Sequence, residues 1–183
     1  MKKLGLALLA FAMVLGIAAC SSTSSATSDE KKQEAINDSF RKVYESYANV
    51  LVLDGAETYT VKSGDKLTSI AKEFYGSDNG YFFPIIMLAS NEVVQDPELI
   101  TPGMELTIPN FDANINDTEV ATKLKPYFKS IANIYKTTKK DAPGADVTRE
   151  ALLDISEKLG TETFASKATS TTEESAETVE VAE

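Results

Sequence analysis

YTVKSGDKLTSIAKEFYGSDNG, Tyr59–Gly80, changes its hydrophobic period partway along. Across Thr58-Tyr59-Thr60-Val61-Lys62, Tyr59 and Val61 alternate with polar residues, the pattern of a half-buried strand. Ser63-Gly64 turns the chain. Asp65 is placed to cap a helix by accepting the backbone N–H of Thr68. Leu67, Ile70, Ala71 and Phe74 then fall at i, i+3, i+4 and i+7, one helical face. Tyr75-Gly76-Ser77-Asp78-Asn79-Gly80 breaks that helix.

Downstream, a second helix fits Tyr81 to Ser90. Pro84 is tolerated in its first turn, where a missing N–H costs nothing. Asn91 can adopt the left-handed conformation at its end. Thr101-Pro102-Gly103-Met104 suits a type II turn, with Pro102 presetting φ and Gly103 supplying φ > 0. Glu105-Leu106-Thr107-Ile108 is a second strand, with Leu106 and Ile108 inward. The order is strand, helix, helix, strand, an α+β unit whose antiparallel strands are covered on one face by both helices.

The matching words are Tyr59-Thr60-Val61-Lys62-Ser63-Gly64-Asp65, Leu67-Thr68-Ser69-Ile70-Ala71, Asn91, and Asp96-Pro97-Glu98-Leu99-Ile100 leading into the second turn and strand. Together they resemble the LysM domain over residues 58–109. The resemblance implies binding of N-acetylglucosamine glycans, above all peptidoglycan and chitin, in a shallow groove between two loops. Carried over, the glycan-binding residues are Gly64, Asp65, Lys66 and Leu67 on one loop, and Ile100, Thr101 and Pro102 on the other. Main-chain polar atoms would pair with N-acetyl groups, and short apolar side chains would cover sugar faces. Lys66 departs from the small hydroxyl residue usual there. It could reach a sugar hydroxyl or a muramyl carboxylate, or it could block the groove. Tyr81, Phe82 and Phe83 make the segment between the helices unusually aromatic, and core packing is the expected role for them.

The composition narrows the chemistry. The chain has 183 residues, no histidine, one cysteine and a net charge of −10. A surface this acidic repels nucleic-acid phosphates, so no nucleic acid is expected as a partner. Lack of histidine removes the commonest general base and metal ligand. A glycosidase would need two carboxylates across a cleft, and the acidic residues here fall mainly on helix exteriors and the tail. A non-catalytic protein with no cofactor and no metal site is therefore expected.

Residues 1–20 read MKKLGLALLAFAMVLGIAAC. Lys2 and Lys3 precede an apolar run too short to span a bilayer, followed by small residues. Ile17-Ala18-Ala19-Cys20 resembles a bacterial lipobox. That resemblance implies a signal peptide over 1–19, removed before Cys20, and acyl chains, palmitate among them, on Cys20 as a membrane anchor. Residues 20–29 hold a Ser/Thr-rich run and read as a flexible tether. Ser21 after the cysteine implies the outer membrane, facing the periplasm, in a cell that has one. The expected location is the cell envelope.

Amphipathic helices flank the LysM-like unit. Ile36, Phe40, Val43, Tyr47 and Val50 mark one face of a helix within residues 30–55, reaching to about residue 53. Residues 117–160 form a helical extension. Asp117 or Thr118 caps its first helix, which carries Val120, Leu124, Tyr127, Ile131 and Ile134 on one face; Pro126 should kink it or delay its start. A shorter helix over 147–159 turns Leu152, Ile155 and Leu159 inward, and Asn110–Asn116 reads as a loop. Residues 165–183, rich in Thr, Ser and Glu, read as a disordered acidic tail. The helices either scaffold the LysM-like unit or offer a docking groove to another envelope protein. The second reading makes the chain an assembly protein whose LysM-like unit is structural.

Overall fold

Four-residue strands set the frame. In the computed structural model, which describes residues 27–167, β1 (Glu57–Thr60) pairs antiparallel with β2 (Glu105–Ile108), with Tyr59 opposite Leu106. Val61 continues the pairing past the strand end. It donates to the Met104 carbonyl and accepts from the Gly103 N–H, both at 2.9 Å. Both flanking turns form as read. The Asp65 N–H donates to the Lys62 carbonyl, the Met104 N–H donates to the Thr101 carbonyl, and Gly64 and Gly103 take φ of 90° and 92°.

A two-stranded sheet is marginal alone, so its apolar face must be covered. Helix α2 (Leu67–Tyr75) and helix α3 (Phe83–Ala89) do this. Leu67, Ile70 and Ala71 share one core with Tyr59, Val61, Leu106 and Ile108. A short 3₁₀ turn, Gly80–Phe82, leads into α3, with Pro84 in its first turn. Every residue of α3 from Phe83 to Leu88 is buried. A helix apolar all round needs neighbours on all sides, and the flanking helices provide them.

Helix α4 (Thr118–Lys136) packs on α5 (Ala145–Lys158) and on α1 (Ser28–Tyr47). Tyr127 of α4 donates its hydroxyl to the Pro84 carbonyl at 2.7 Å. Phe82 lies at the centre of an aromatic cluster, 5.0 Å from Phe111, 6.0 Å from Phe128 and 4.9 Å from Phe164 between ring centroids. Phe82 and Phe83 are therefore core, and Tyr81 packs half-buried against it. Asp117 is the cap of α4, accepting from the Val120 N–H at 2.9 Å. Pro126 sits inside the helix and does not delay its start. Gly160 lets the end of α5 nest against α4, because a Cβ there would fall 2.3 Å from the Thr122 hydroxyl.

Several boundaries differ from the sequence reading, each for a local reason. Helix α1 begins inside the expected tether, because Thr27 and Glu30 close a reciprocal capping box with bonds of 2.7 and 3.3 Å. It ends at Tyr47 rather than near residue 53. Beyond it, the Asn114 side-chain amide takes both main-chain polar groups of Val52, each at 2.9 Å, and holds that segment extended. The expected loop at 110–116 contains a π-helical turn, Asp112–Asn116, closed by the Asp117 N–H on the Asp112 carbonyl. The start of the expected tail is docked. Asn116 brackets Phe164 through two 2.9 Å bonds, and Asn79 holds the Ala165 carbonyl at 2.6 Å. The signal peptide and Cys20 lie outside the described residues, as does the tail after residue 167.

One buried lysine joins the strand–helix–helix–strand unit to its flanks. Lys139, in the turn after α4, and Asp96, before β2, are both almost fully buried and meet at 2.5 Å. Lys139 also contacts the Glu98 carboxylate and lies about 6 Å from the rings of Phe40 and Tyr135. Gln33 of α1 donates to the other Asp96 oxygen at 2.9 Å, and Tyr135 of α4 donates to Glu98 at 2.9 Å. Burial alone would raise the Asp96 carboxyl, but hydrogen bonds from Glu98, Lys139 and Gln33 hold it below its ordinary value. Burial and the neighbouring Asp96 raise Glu98.

Replacing Lys139 by Ala strands a buried carboxylate and should cost about 3–5 kcal/mol, read as a fall in the urea midpoint. Adding Asp96→Asn should recover part of the loss, since the stranded charge is then gone. A depressed carboxylate stabilises the fold above its unfolded pKa, and that contribution disappears as pH falls through the folded one. Wild-type stability should therefore drop below the ordinary Asp value of 3.8, and Asp96→Asn should flatten that part of the pH profile.

Candidate glycan-binding site

The turn after β1 is built around Asp65. Its carboxylate accepts from the Lys62 N–H and from the Tyr59 hydroxyl, both at 2.8 Å. It does not cap α2, which corrects the sequence reading. Gly64 at positive φ folds Asp65 back onto β1, so its oxygens face the strand. Lys66 is the helix cap residue instead, with the Ser69 hydroxyl accepting from its N–H at 3.0 Å and donating to its carbonyl at 2.7 Å. The Lys62 N–H, then the Tyr59 hydroxyl, hold the Asp65 carboxyl below its ordinary value. The same bond pushes the Tyr59 phenol up to about 12.

The second loop is shaped by Asp96. Its carboxylate accepts from the Glu98 N–H at 3.0 Å, and its carbonyl accepts from the Leu99 N–H at 3.0 Å. The loop thus turns sharply and presents Pro97, Glu98 and Ile100 toward the start of α2. Between the two loops lies a recess of about 350 Å³. Asp65, Lys66, Leu67 and Thr68 form one side, and Pro97, Glu98 and Ile100 form another. Phe83 of α3 also borders it. Its volume falls at the small end of small-molecule sites, roughly 300–1,000 Å³.

Of the seven residues read as glycan-binding, the structure gathers Asp65, Lys66, Leu67 and Ile100 around this recess. Leu67 is a core residue at only 2% exposure, so it offers an edge rather than a free side chain. Gly64, Thr101 and Pro102 are exposed on the adjoining turns and do not line it. Lys66 borders the recess, is exposed and makes no ion pair among the described residues. Three lining residues come from outside residues 59–109: Tyr135 of α4, Pro143 of the following turn, and Thr148 of α5. No periodicity or motif marked these, because only packing brings them there. Glu98 lay within the recognised stretch, but its place in both the ion network and the recess depends on Lys139 and Tyr135.

The unit from β1 to β2, with its two turns and two covering helices, matches the LysM family over residues 59–109. Residues 59–109 are a LysM domain. The chain is similar to the potassium binding protein Kbp of Escherichia coli O6:H1, with 43% identity over 54 residues, 30% of this chain and 35% of that protein. It is also similar to an uncharacterized protein of Deinococcus radiodurans, with 40% identity over 55 residues, 30% of this chain and 20% of that protein. The chain therefore spans only about a third and a fifth of the length of these relatives. No solved structure matches it. LysM is a binding domain, and its implied ligands are peptidoglycan and related N-acetylglucosamine glycans.

The Tyr59–Asp65 bond gives the LysM turn a titration signature. The ring signal of Tyr59, followed by NMR against pH, should move near 12, and Asp65→Asn should bring it back toward the ordinary value of 10.0. Separately, Gly103→Ala meets open space but must hold a positive φ, so it should cost about 1–2 kcal/mol by denaturant melt.

Proposed function

We propose that this protein is a lipid-anchored, non-catalytic tie between a membrane and the cell-wall glycan. The observation that carries the reading is the open recess between the two LysM loops, in a domain family that binds N-acetylglucosamine polymers. Such a site needs no acid, base or metal. It needs main-chain polar groups at turns and apolar surface for sugar faces, and Ile100, with the edges of Leu67 and Phe83, supplies the apolar part. The lipobox-like Ile17-Ala18-Ala19-Cys20 supports acylation at Cys20 and a place in the cell envelope, at the outer membrane facing the periplasm where one exists. A single weak glycan site gains from such tethering, because attachment holds the polymer at high local concentration.

The alternative, an assembly protein with an apolar docking face on its helices, finds less support. The stripes of α1, α4 and α5 are spent inward: Phe40, Leu124, Tyr127, Ile131 and Leu152 are all buried in the common core. The glycan reading rests on the LysM domain at residues 59–109, not on the Escherichia coli relative. Potassium binding belongs to that relative's name and is not part of it.

The test is co-sedimentation of the mature, non-acylated chain with purified peptidoglycan at low salt. The protein should pellet with the polymer, and Ile100→Ser should weaken retention about 5–30-fold, the effect of losing about 1–2 kcal/mol of apolar contact. Full recovery of wild-type protein in the supernatant would sink the reading. For the anchor, cells grown with labelled palmitate should label the wild type, and Cys20→Ala should abolish the label.

A further inference from the structure

The LysM groove of this chain is not bounded by the LysM domain alone. Tyr135, Pro143 and Thr148 face the same recess as Asp65–Thr68 and Pro97–Ile100. Building on the glycan reading, we propose that the turn after α4 and the first turn of α5 form a second wall of the sugar site. A shallow groove becomes a slot, and Thr148 is a ligand-contacting, specificity-determining residue.

Two observations support the second wall. First, it is held rigidly in place. Lys139 is buried against Asp96 and Glu98 on the LysM loop, and Tyr135 donates to Glu98 at 2.9 Å. The Thr148 N–H is fixed on the Gly144 carbonyl at 2.9 Å. A wall anchored in this way does not need to be ordered when ligand arrives, which lowers the entropic cost of binding.

Second, the chemistry across the slot suits a sugar. Thr68 on α2 and Thr148 on α5 line it, and neither side-chain hydroxyl has a hydrogen-bond partner among the described residues. Leu67, Phe83 and Ile100 line it too. A pyranose ring carries an apolar face edged by hydroxyls and an amide, and it can use both kinds of surface at once.

Calorimetric titrations of the full mature chain with chitin oligomers and soluble muropeptides test this, each variant paired with a thermal melt. Thr148→Val keeps the shape and removes the hydroxyl, and it should weaken binding by about three- to tenfold, the worth of one hydrogen bond. Thr148→Trp fills the slot and should abolish binding. Both should melt as the wild type does, since Thr148 is half-buried and makes no side-chain bond that the fold uses. If both variants bind like the wild type while Ile100→Ser loses affinity, the second wall is wrong and the glycan reading stands. If the wild type binds neither probe, the glycan reading fails and the second wall falls with it.

Discussion

A single buried ammonium holds this architecture together. Lys139 lies in a turn between two helices, where a lysine would ordinarily reach into solvent, yet it is almost fully covered. Taking such a charge out of water costs several kcal/mol unless it is paired and hydrogen-bonded. Asp96 and Glu98 supply the pairing, and the faces of Phe40 and Tyr135 add a cation–π surround. These partners come from α1, α4 and the LysM loop. The charge can be stabilised only when all three are in place. The network therefore specifies one docking of the flanks against the LysM unit, where apolar packing alone would tolerate neighbouring arrangements.

That requirement explains why the flanks exist. A LysM unit with α3 apolar on every side would leave part of that helix wet. Helix α4 brings Tyr127 to the Pro84 carbonyl and Phe128 to Phe82, and α5 covers α4 in turn. The aromatic segment Tyr81-Phe82-Phe83 is the LysM side of that bargain. Its Phe82 ring meets Phe111, Phe128 and Phe164, all beyond the domain's end.

What the sequence revealed and what it hid divide along the range of the interactions. The two turns at Gly64 and Gly103 were legible because left-handed glycines act within four residues. So were the strand pattern around Tyr59 and the heptad-like faces of α4 and α5. Asp65 was misread although it is local: a helix cap and a turn closure use the same side chain, and the Tyr59 hydroxyl decided between them. The end of α1 and the docking of residues 164–166 depend on Asn114, Asn116 and Asn79, whose amides act across 48 to 86 residues of chain. No local pattern marks an asparagine as a distant clamp. The ion network has the same character, because Lys139 and Asp96 are 43 residues apart and look like ordinary surface charges. In the site, the two LysM loops were legible through their motif, and the wall from α4 and α5 was not.

Glu98 connects the two halves of the problem. One side of it binds Lys139 and Tyr135, and it also lines the recess. Burial and the neighbouring Asp96 favour its protonated form, so its charge is the most easily changed in the network. Any ligand that excludes water from the recess strips solvent from the exposed side of Glu98 and pushes it further in that direction. The attraction holding Lys139 then falls more heavily on Asp96, which keeps its charge through three hydrogen-bond donors. The fold tolerates this because Asp96 lies on the dry side of the loop, away from the recess. Placing one carboxylate toward the core and its neighbour toward the slot lets the flanks stay docked while the site is filled.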